Sequence, residues 1–499
     1  MPQTLPGAIA WWARMRGSQP AVILGGETLT YADYKNWSDR VAAMLIADGL
    51  LPGDRVATCS ENSLAYVALI MGVVRAGGIV SPVNFRYTPR EISELCEATE
   101  PRFAFAAPEY ASQMASASLT PRSIGEIEAL RTGDPVRPSH DPLVDAPVVI
   151  IATSGSTAKP KGVVFTNRSM TAYAANWAIE ETCPGAGDRV ICLAPLNTSA
   201  GFIQLMQYTT QGLTLYLMPK FVPLDALRLI ERERITCFGA VPAFFEFIAA
   251  LPEFETADIS SLRFATAGGA RVSRQLLDNY KAKGVVLRQI YGQTEIGGNA
   301  TMTPKHLALE APSQCGWGGI FMDLRVVRPD GSDCAPGETG EILMRSPGMM
   351  KEYWRNPEET SKVIRDGWLY SGDIGMLDEH GMLTFVDRLK DLIISGGLNI
   401  SAAEVEQVVL EFPGIVEALA IAAPDTKFGE TPFVVYHGPG EIDVAALIDY
   451  CNANLSNYKV PRYVAFSAEP LPRLATGKLS KPAVRLRYAG QHEHMARVR

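Results

Sequence analysis

The chain has little of what builds a membrane protein, a secreted disulfide scaffold or a nucleic-acid binder. No apolar run approaches the roughly 20 residues a membrane helix needs. The opening Met1-Pro2-Gln3-Thr4-Leu5-Pro6 lacks the basic and apolar regions of a secretory signal. Cysteine is sparse: Cys59, Cys96, Cys183, Cys192, Cys237, Cys315, Cys334 and Cys451 lie scattered, with no C-x-x-C pair. That pattern reads as reduced thiols in a cytoplasmic protein rather than a disulfide framework or a zinc site. The six histidines do not cluster with the cysteines, so no metal held by Cys or His is expected. Basic residues are outnumbered, 46 against 54 acidic, for a net charge of -8. This leaves no basic footprint for nucleic acid and no polybasic arm for anionic lipid. Any polyanionic ligand must be held by a local arrangement of donors.

What is present is a 499-residue chain, 47% hydrophobic and 20% charged, long enough for two or three domains. Thr28 to Leu50 has a helical apolar period, Asp54 to Cys59 reads as a short strand, and Ser63 to Ala76 reads as another helix. Such alternation argues for βαβ units and an α/β fold. Pro147-Val148-Val149-Ile150-Ile151-Ala152 reads as a buried strand that ends abruptly in small polar residues. Between about 315 and 386 the pattern turns to short strands, with turns at Pro329-Asp330-Gly331-Ser332 and Asp378-Glu379-His380-Gly381. No repeat or low-complexity tract interrupts it. The charged pentad Asp387-Arg388-Leu389-Lys390-Asp391 reads as a solvated joint, because a buried strand could not hold it cheaply. The expected domains are therefore 1–387, an α/β body of several subdomains with a β-rich part, and 388–499, a small α+β domain.

The strongest local signal is Thr153-Ser154-Gly155-Ser156-Thr157-Ala158-Lys159-Pro160-Lys161-Gly162, directly after the buried strand. Four hydroxyls, two lysines and exposed glycine amides converge within ten residues, which suits a triphosphate. A solvated polar turn is the plain alternative. The string does not fit G-x-x-x-x-G-K-[ST]. It resembles the phosphate loop of the adenylate-forming superfamily, which includes acyl-CoA synthetases, adenylation domains and firefly-type luciferases. Ala158 departs from the glycine usual there, which bears on loop stiffness but leaves the donors intact.

Further motifs follow in that family's order. Gly268-Gly269-Ala270 resembles the adenine-binding turn, and Gln289-Ile290-Tyr291-Gly292-Gln293-Thr294-Glu295 resembles the Tyr-Gly-x-Thr-Glu segment. The resemblance implies that ATP is bound by Thr153, Ser154, Gly155, Ser156, Thr157, Lys161, Gly269, Ala270, Gln289, Ile290, Tyr291 and Gly292. Tyr291 offers a face for a purine, Thr294 can reach a phosphate, and Glu295 supplies a hard oxygen for Mg²⁺. Tyr370-Ser371-Gly372-Asp373 is similar to the segment whose aspartate accepts from both ribose hydroxyls, a task suited to an acceptor-only carboxylate. The pentad, with Ile394 to Ile400 and Glu404, resembles the hinge: Arg388 on the ribose side, Lys390 at the pivot of a mobile small domain, and Gly396-Gly397 lining a tunnel for the CoA arm. Leu471-Pro472-Arg473-Leu474-Ala475-Thr476-Gly477-Lys478-Leu479 resembles the loop that delivers a catalytic lysine, so Lys478 is implied to bridge the carboxylate and the α-phosphate. It acts there with Thr294 and Glu295. Isolated, most of these residues would be surface side chains or turn formers; their joint order and separation argue otherwise.

The implied activity is ATP-dependent activation of a carboxylic acid to an acyl-adenylate, then transfer to CoA. A stand-alone enzyme that loads a carrier protein is the alternative, and an oxidising or non-catalytic relative is a third class. Asn457-Tyr458-Lys459-Val460-Pro461-Arg462 looks like a string common in CoA ligases, and no carrier domain is expected after Lys478. Where many relatives carry an aromatic-His pair, this chain has Asn197-Thr198. Asn197, Thr198, Gly239, Val241 and Gly268 are the expected acyl pocket, mostly small and apolar, which suits an apolar fatty or aromatic monocarboxylic acid. The expected co-substrates and cofactors are ATP, Mg²⁺ and CoA; the acid and CoA are the partners, and a homodimer is left open.

Overall fold

The computed structural model describes residues 3–115, 119–153, 161–179, 184–270, 272–473 and 479–498. The chain divides into two compact units, Met1–Leu324 with Leu343–Tyr370, and Arg325–Ile342 with Ser371–Arg499.

Alternating β-branched runs and helices build two large sheets in the first unit. One has seven strands, in the order Glu352–Tyr353, Lys161–Thr166, Pro147–Thr153, Ile79–Pro82, Arg55–Cys59, Phe103–Ala106, Arg122–Ser123. It is parallel from Pro147–Thr153 onward, while Lys161–Thr166 and Glu352–Tyr353 run antiparallel. The other has nine strands around a parallel centre of Leu287–Gln293, Phe264–Gly268, Cys237–Ala240, Arg189–Cys192, Thr214–Leu217 and Pro20–Leu24. Parallel sheets need cover on both faces. Helix Leu64–Arg75 shows how complete that cover is, since every residue from Leu64 to Val74 is buried. Its start is set by Ser63, whose hydroxyl accepts the Tyr66 amide at 3.1 Å.

The expected helix from Thr28 begins later. Glu27–Thr30 is a strand paired with Pro20–Leu24, and the helix is Tyr31–Ala47, capped by the Thr30 hydroxyl. The Thr30 hydroxyl ends one element and starts the next, a switch that apolar period alone does not reveal. Short strands do fill 315–386, joined by one unforeseen helix, Pro357–Val363.

The second unit is α+β. Glu417–Asp425 pairs antiparallel with Gly429–His437, which pairs in parallel with Tyr463–Ser467; helices Ala402–Leu410 and Val444–Asn454 contribute to one core cluster, and Val484 of helix Lys481–Arg487, with Leu471 and Tyr488, contributes to a second. The charged pentad is not uniformly solvated. Asp387 is buried, accepting from the Ser401 hydroxyl at 2.9 Å and the Ala403 amide at 3.0 Å, at the start of helix Ala402–Leu410. Asp391 is buried against Arg485 at 2.7 Å, while Arg388, Leu389 and Lys390 are exposed. A helix N-terminus and an arginine thus make burial of two carboxylates tolerable. Among the described residues no helix is long and apolar enough to cross a membrane.

Candidate active site

In an open parallel sheet, ligands collect beyond the carboxyl ends of the strands. Three adjacent ends of the nine-stranded sheet carry the expected residues. Gly239 pairs with Thr266, and Gly268 with Ile290, so the ends of Cys237–Ala240, Phe264–Gly268 and Leu287–Gln293 lie side by side. Two glycines are demanded by packing itself. A Cβ on Gly268 would lie 2.3 Å from the Ile290 side chain, and one on Gly292 would lie 1.9 Å from the Gly298 carbonyl oxygen. Gly269 adopts a left-handed φ of +78° and, with Ala270, is exposed past the strand end. Gln289 is buried and donates through its amide to the Pro312 carbonyl, and Tyr291 is 7% exposed on the same strand. Val241 occupies the N-cap position of helix Pro242–Ala249, which follows Gly239, without a side-chain capping bond.

Thr294 and Glu295 occupy a single turn after this strand. One Glu295 carboxylate oxygen accepts from the Tyr353 hydroxyl at 2.8 Å. Burial, and then the neighbouring Glu295 charge, push the Tyr353 phenol well above its usual pKa, so it remains a donor. The Lys161 ammonium lies 5.1 Å from the Tyr353 ring centroid and forms an ion pair with Glu359. Glu359 also pairs with Lys362 at 2.6 Å, and hydrogen bonds from Lys161 and then Lys362 hold its pKa at about 2. Lys161 is itself fixed by strand register opposite Thr153, at the mouth of the phosphate-loop string. One tyrosine therefore joins the end of that string to Glu295. Ser154, Gly155, Ser156 and Thr157 lie outside the described residues, as does Lys478.

Asn197 and Thr198 serve local architecture. The Asn197 amide donates to the Ser60 carbonyl at 3.3 Å, and the Thr198 hydroxyl donates to Pro195 and accepts the Gly201 amide, capping helix Ser199–Gln211. A Cβ on Gly239 would meet the Thr266 hydroxyl at 2.9 Å and face the Tyr208 hydroxyl at 3.8 Å. Thr266 and Tyr208 line a narrow cavity, together with Trp177, Gln207, Phe264, Asn299 and Met302. Sequence reading passed over these walls. The signal for them was Gln204, Gln207 and Gln211 at helical spacing in an otherwise apolar segment.

Within the second unit, Asp373 is buried and sits opposite Arg388 in the strand register, with Arg388 Nε 3.7 Å from its carboxylate. Gly396 and Gly397 form the two-residue turn between Ile393–Ser395 and Leu398–Ile400, with φ of +59° and +81°. Two positive φ values suit a tight hairpin, which accounts for both glycines locally. Open space surrounds a Cβ built on Gly397.

Residues 9–354 match the AMP-binding enzyme family, and residues 404–478 match the AMP-binding enzyme C-terminal domain. A feruloyl-CoA synthase of Amycolatopsis sp is 36% identical over 482 residues, covering 95% of this chain and 97% of the relative. A long-chain-fatty-acid–CoA ligase of Mycobacterium tuberculosis is 34% identical over 473 residues, covering 92% and 93%. The structure of o-succinylbenzoate CoA synthetase from Bacillus subtilis with its acyl-adenylate intermediate superposes with a TM-score of 0.87, at 27% identity, over 96% of this chain and 97% of that one.

Proposed function

Because this chain belongs to the AMP-binding enzyme family and is an AMP-forming acid–CoA ligase, we propose that the residues above divide its two half-reactions between them. In the first, a fatty or aromatic monocarboxylate attacks the α-phosphate of ATP, forming acyl-AMP and releasing pyrophosphate. In the second, the CoA thiol attacks the acyl carbonyl and AMP departs, with the thiol proton lost to solvent.

The observation that carries this assignment is the Tyr353 bridge, which gathers Lys161 and Glu295 beside the glycine-rich strand ends. Lys161 and the Thr153 to Thr157 string bind the triphosphate; Gly269, Ala270 and Gln289 to Gly292 receive the adenine. Asp373 takes the ribose hydroxyls and Arg388 lies on the ribose side. Lys478 steadies the charge that builds on the reacting oxygens. The Glu295 carboxylate, one oxygen of which is oriented by Tyr353, fits a hard cation that takes one or two carboxylates and otherwise phosphate oxygens. Mg²⁺ held there with ATP would supply charge neutralisation to the phosphates. Residues 388–499 act as the mobile domain, turning about Lys390 between steps, with Gly396 and Gly397 on the CoA path. Buried thiols at Cys59, Cys192 and Cys237 suit a cytoplasmic setting.

The test is a panel of acids assayed for pyrophosphate release with and without CoA. AMP and acyl-CoA should form in equal amounts; ADP as the stoichiometric product would reject the mechanism.

A further inference from the structure

Helices Leu5–Arg16, Tyr31–Ala47 and Leu64–Arg75 meet the segment 135–137 around a cleft of about 400 Å³ that shares no residue with the candidate active site. Its apolar floor is Pro6, Ile9, Met71, Pro135 and Val136, and its polar lining is Lys35, Ser38, Asp39, Arg75 and Arg137. Asp39 is 6% exposed, and both its oxygens are taken, one by Lys35 at 2.7 Å and the other by Arg75 at 3.1 Å. Arg75 also donates to the His140 carbonyl and stands 3.9 Å from the exposed carboxylate of Asp141. Arg137 is exposed and has no partner among the described residues. Three cations thus share the lining with one carboxylate. Ser38 is 2% exposed, and among the described residues its hydroxyl has no partner either.

A serine inside a helix commonly turns its hydroxyl onto the carbonyl four residues back. Ser38 does not, and a buried hydroxyl left unpaired costs free energy unless something in the cleft completes it. The surplus of positive charge fixes the sign of that partner. Lys35 commits two of its three hydrogens, to Asp39 and to the Asn36 side-chain oxygen at 3.4 Å. Lys35 and Ser38 stand three residues apart on one helix face, and Arg137 enters the same cleft from the facing segment. The third Lys35 hydrogen, the Ser38 hydroxyl and the Arg137 fork together can fill the roughly four lone-pair sites of a carboxylate. The apolar floor suits a hydrocarbon body, and the volume falls within the range of small-molecule sites. We propose that this cleft binds a small carboxylate with an apolar body, held at its charged end by Lys35, Ser38 and Arg137 and along its body by Ile9, Met71 and Val136. An alkanoate and an arylalkanoate share that chemistry, and either binds here whether or not it is also activated at the strand ends.

The test equilibrates the full chain with octanoic acid carrying a terminal diazirine, photolyses it and maps the adducts by peptide mass spectrometry. Adducts should form, saturably, on peptides that hold residues 5–16, 35–39 or 135–137. Excess octanoate or 3-phenylpropanoate should remove them, whereas octanamide, which lacks the charge, should not. Stronger competition by either acid supports the site, and the order tells whether a chain or a ring fills it. Arg137→Gln should weaken labelling of the cleft by about tenfold, as expected for the loss of one charge-assisted contact. Ser38→Ala should weaken it by about threefold or more. The ligase rate should be unchanged in both variants. Without ligand, the Tm of Ser38→Ala should not fall, because no hydrogen bond is lost, and this separates weaker binding from a folding defect. No adduct on these peptides, equal removal by octanamide, or labelling indifferent to both variants overturns the site, while the ligase reading stands or falls on its own pyrophosphate assay.

Discussion

Tyr353 illustrates what a single residue adds to a motif. Glu295 stood out in the chain because Tyr291, Thr294 and glycine surround it, yet the group that orients its carboxylate lies far along the chain, on a two-residue strand. No local pattern marks that tyrosine, since the pairing exists only once Glu352–Tyr353 docks on Lys161–Thr166. Tyr353→Phe removes one hydrogen bond to a charged group, which is worth about 1.5–3 kcal/mol. Mn²⁺ binding to the enzyme–ATP complex, followed by electron paramagnetic resonance, should weaken by about tenfold or more. The Tm should fall by only a few degrees and the KM for the acid should be unaltered; unchanged metal affinity would leave Tyr353 a packing residue. Glu359 belongs to the same cluster. With its pKa held near 2, below its ordinary 4.5, its contribution is fully present above pH 4.5 and fades as pH falls toward 2. Loss of activity between pH 5 and 7 must therefore come from elsewhere.

At the level of elements, caps and turns explain several residues that the motifs assigned to ligands. Thr198 is the N-cap of helix Ser199–Gln211, the helix that carries Gln204, Gln207 and Tyr208. Thr198→Ala should cost about 1 kcal/mol of stability and raise the KM for the acid more than that for ATP. Thr198→Ser should restore both, and a larger effect on ATP than on the acid would misplace the helix. In helix Ala402–Leu410, Glu406 is enclosed with Lys481 at 3.0 Å and the Ala420 amide at 2.9 Å. Burial raises its pKa to about 7 despite the Lys481 charge, with Asp387 adding to the rise. The folded state thus holds a proton that the unfolded chain releases near 4.5. That linkage favours the fold below pH 4.5 and is lost as pH rises through about 7. Thermal unfolding should show a Tm for the second unit declining across this window, and the decline should flatten in Glu406→Gln. An unchanged slope in that variant would remove Glu406 as its source.

For the whole molecule, the decisive question is whether one small domain serves two chemical steps. Lys478 is assigned to adenylate formation and Gly397 to the thioester step, although both belong to the C-terminal region. Lys478→Ala should slow acyl-adenylate formation by orders of magnitude, since a well-placed charge at a developing oxyanion is worth several kcal/mol. Given presynthesised acyl-adenylate, that variant should still make thioester. Gly397 needs a substitution that respects its φ of +81°, and Asn tolerates the left-handed region better than most residues. Gly397→Asn should let adenylate accumulate while thioester formation stalls. Rapid-quench measurement separates the steps, and equal damage to both by Lys478→Ala would require a single fixed site.

Sequence alone determined the class of chemistry: hydroxyls, lysines and glycines at fixed spacing after a buried strand are local facts, dictated by the reach of a few consecutive residues. It also determined the alternation that builds an α/β body and the presence of a second, α+β region. The tertiary structure decided which distant side chains complete the site. Tyr353 meets Glu295 and Glu359 meets Lys161 only because strand order and helix packing bring together residues 58 and 198 positions apart. It also decided that two aspartates of a charged pentad are buried, because a helix N-terminus and an arginine arrive to receive them. Hydrogen bonds and ion pairs act over a few ångströms in space and carry no trace of sequence separation, so these partners become visible only in the fold.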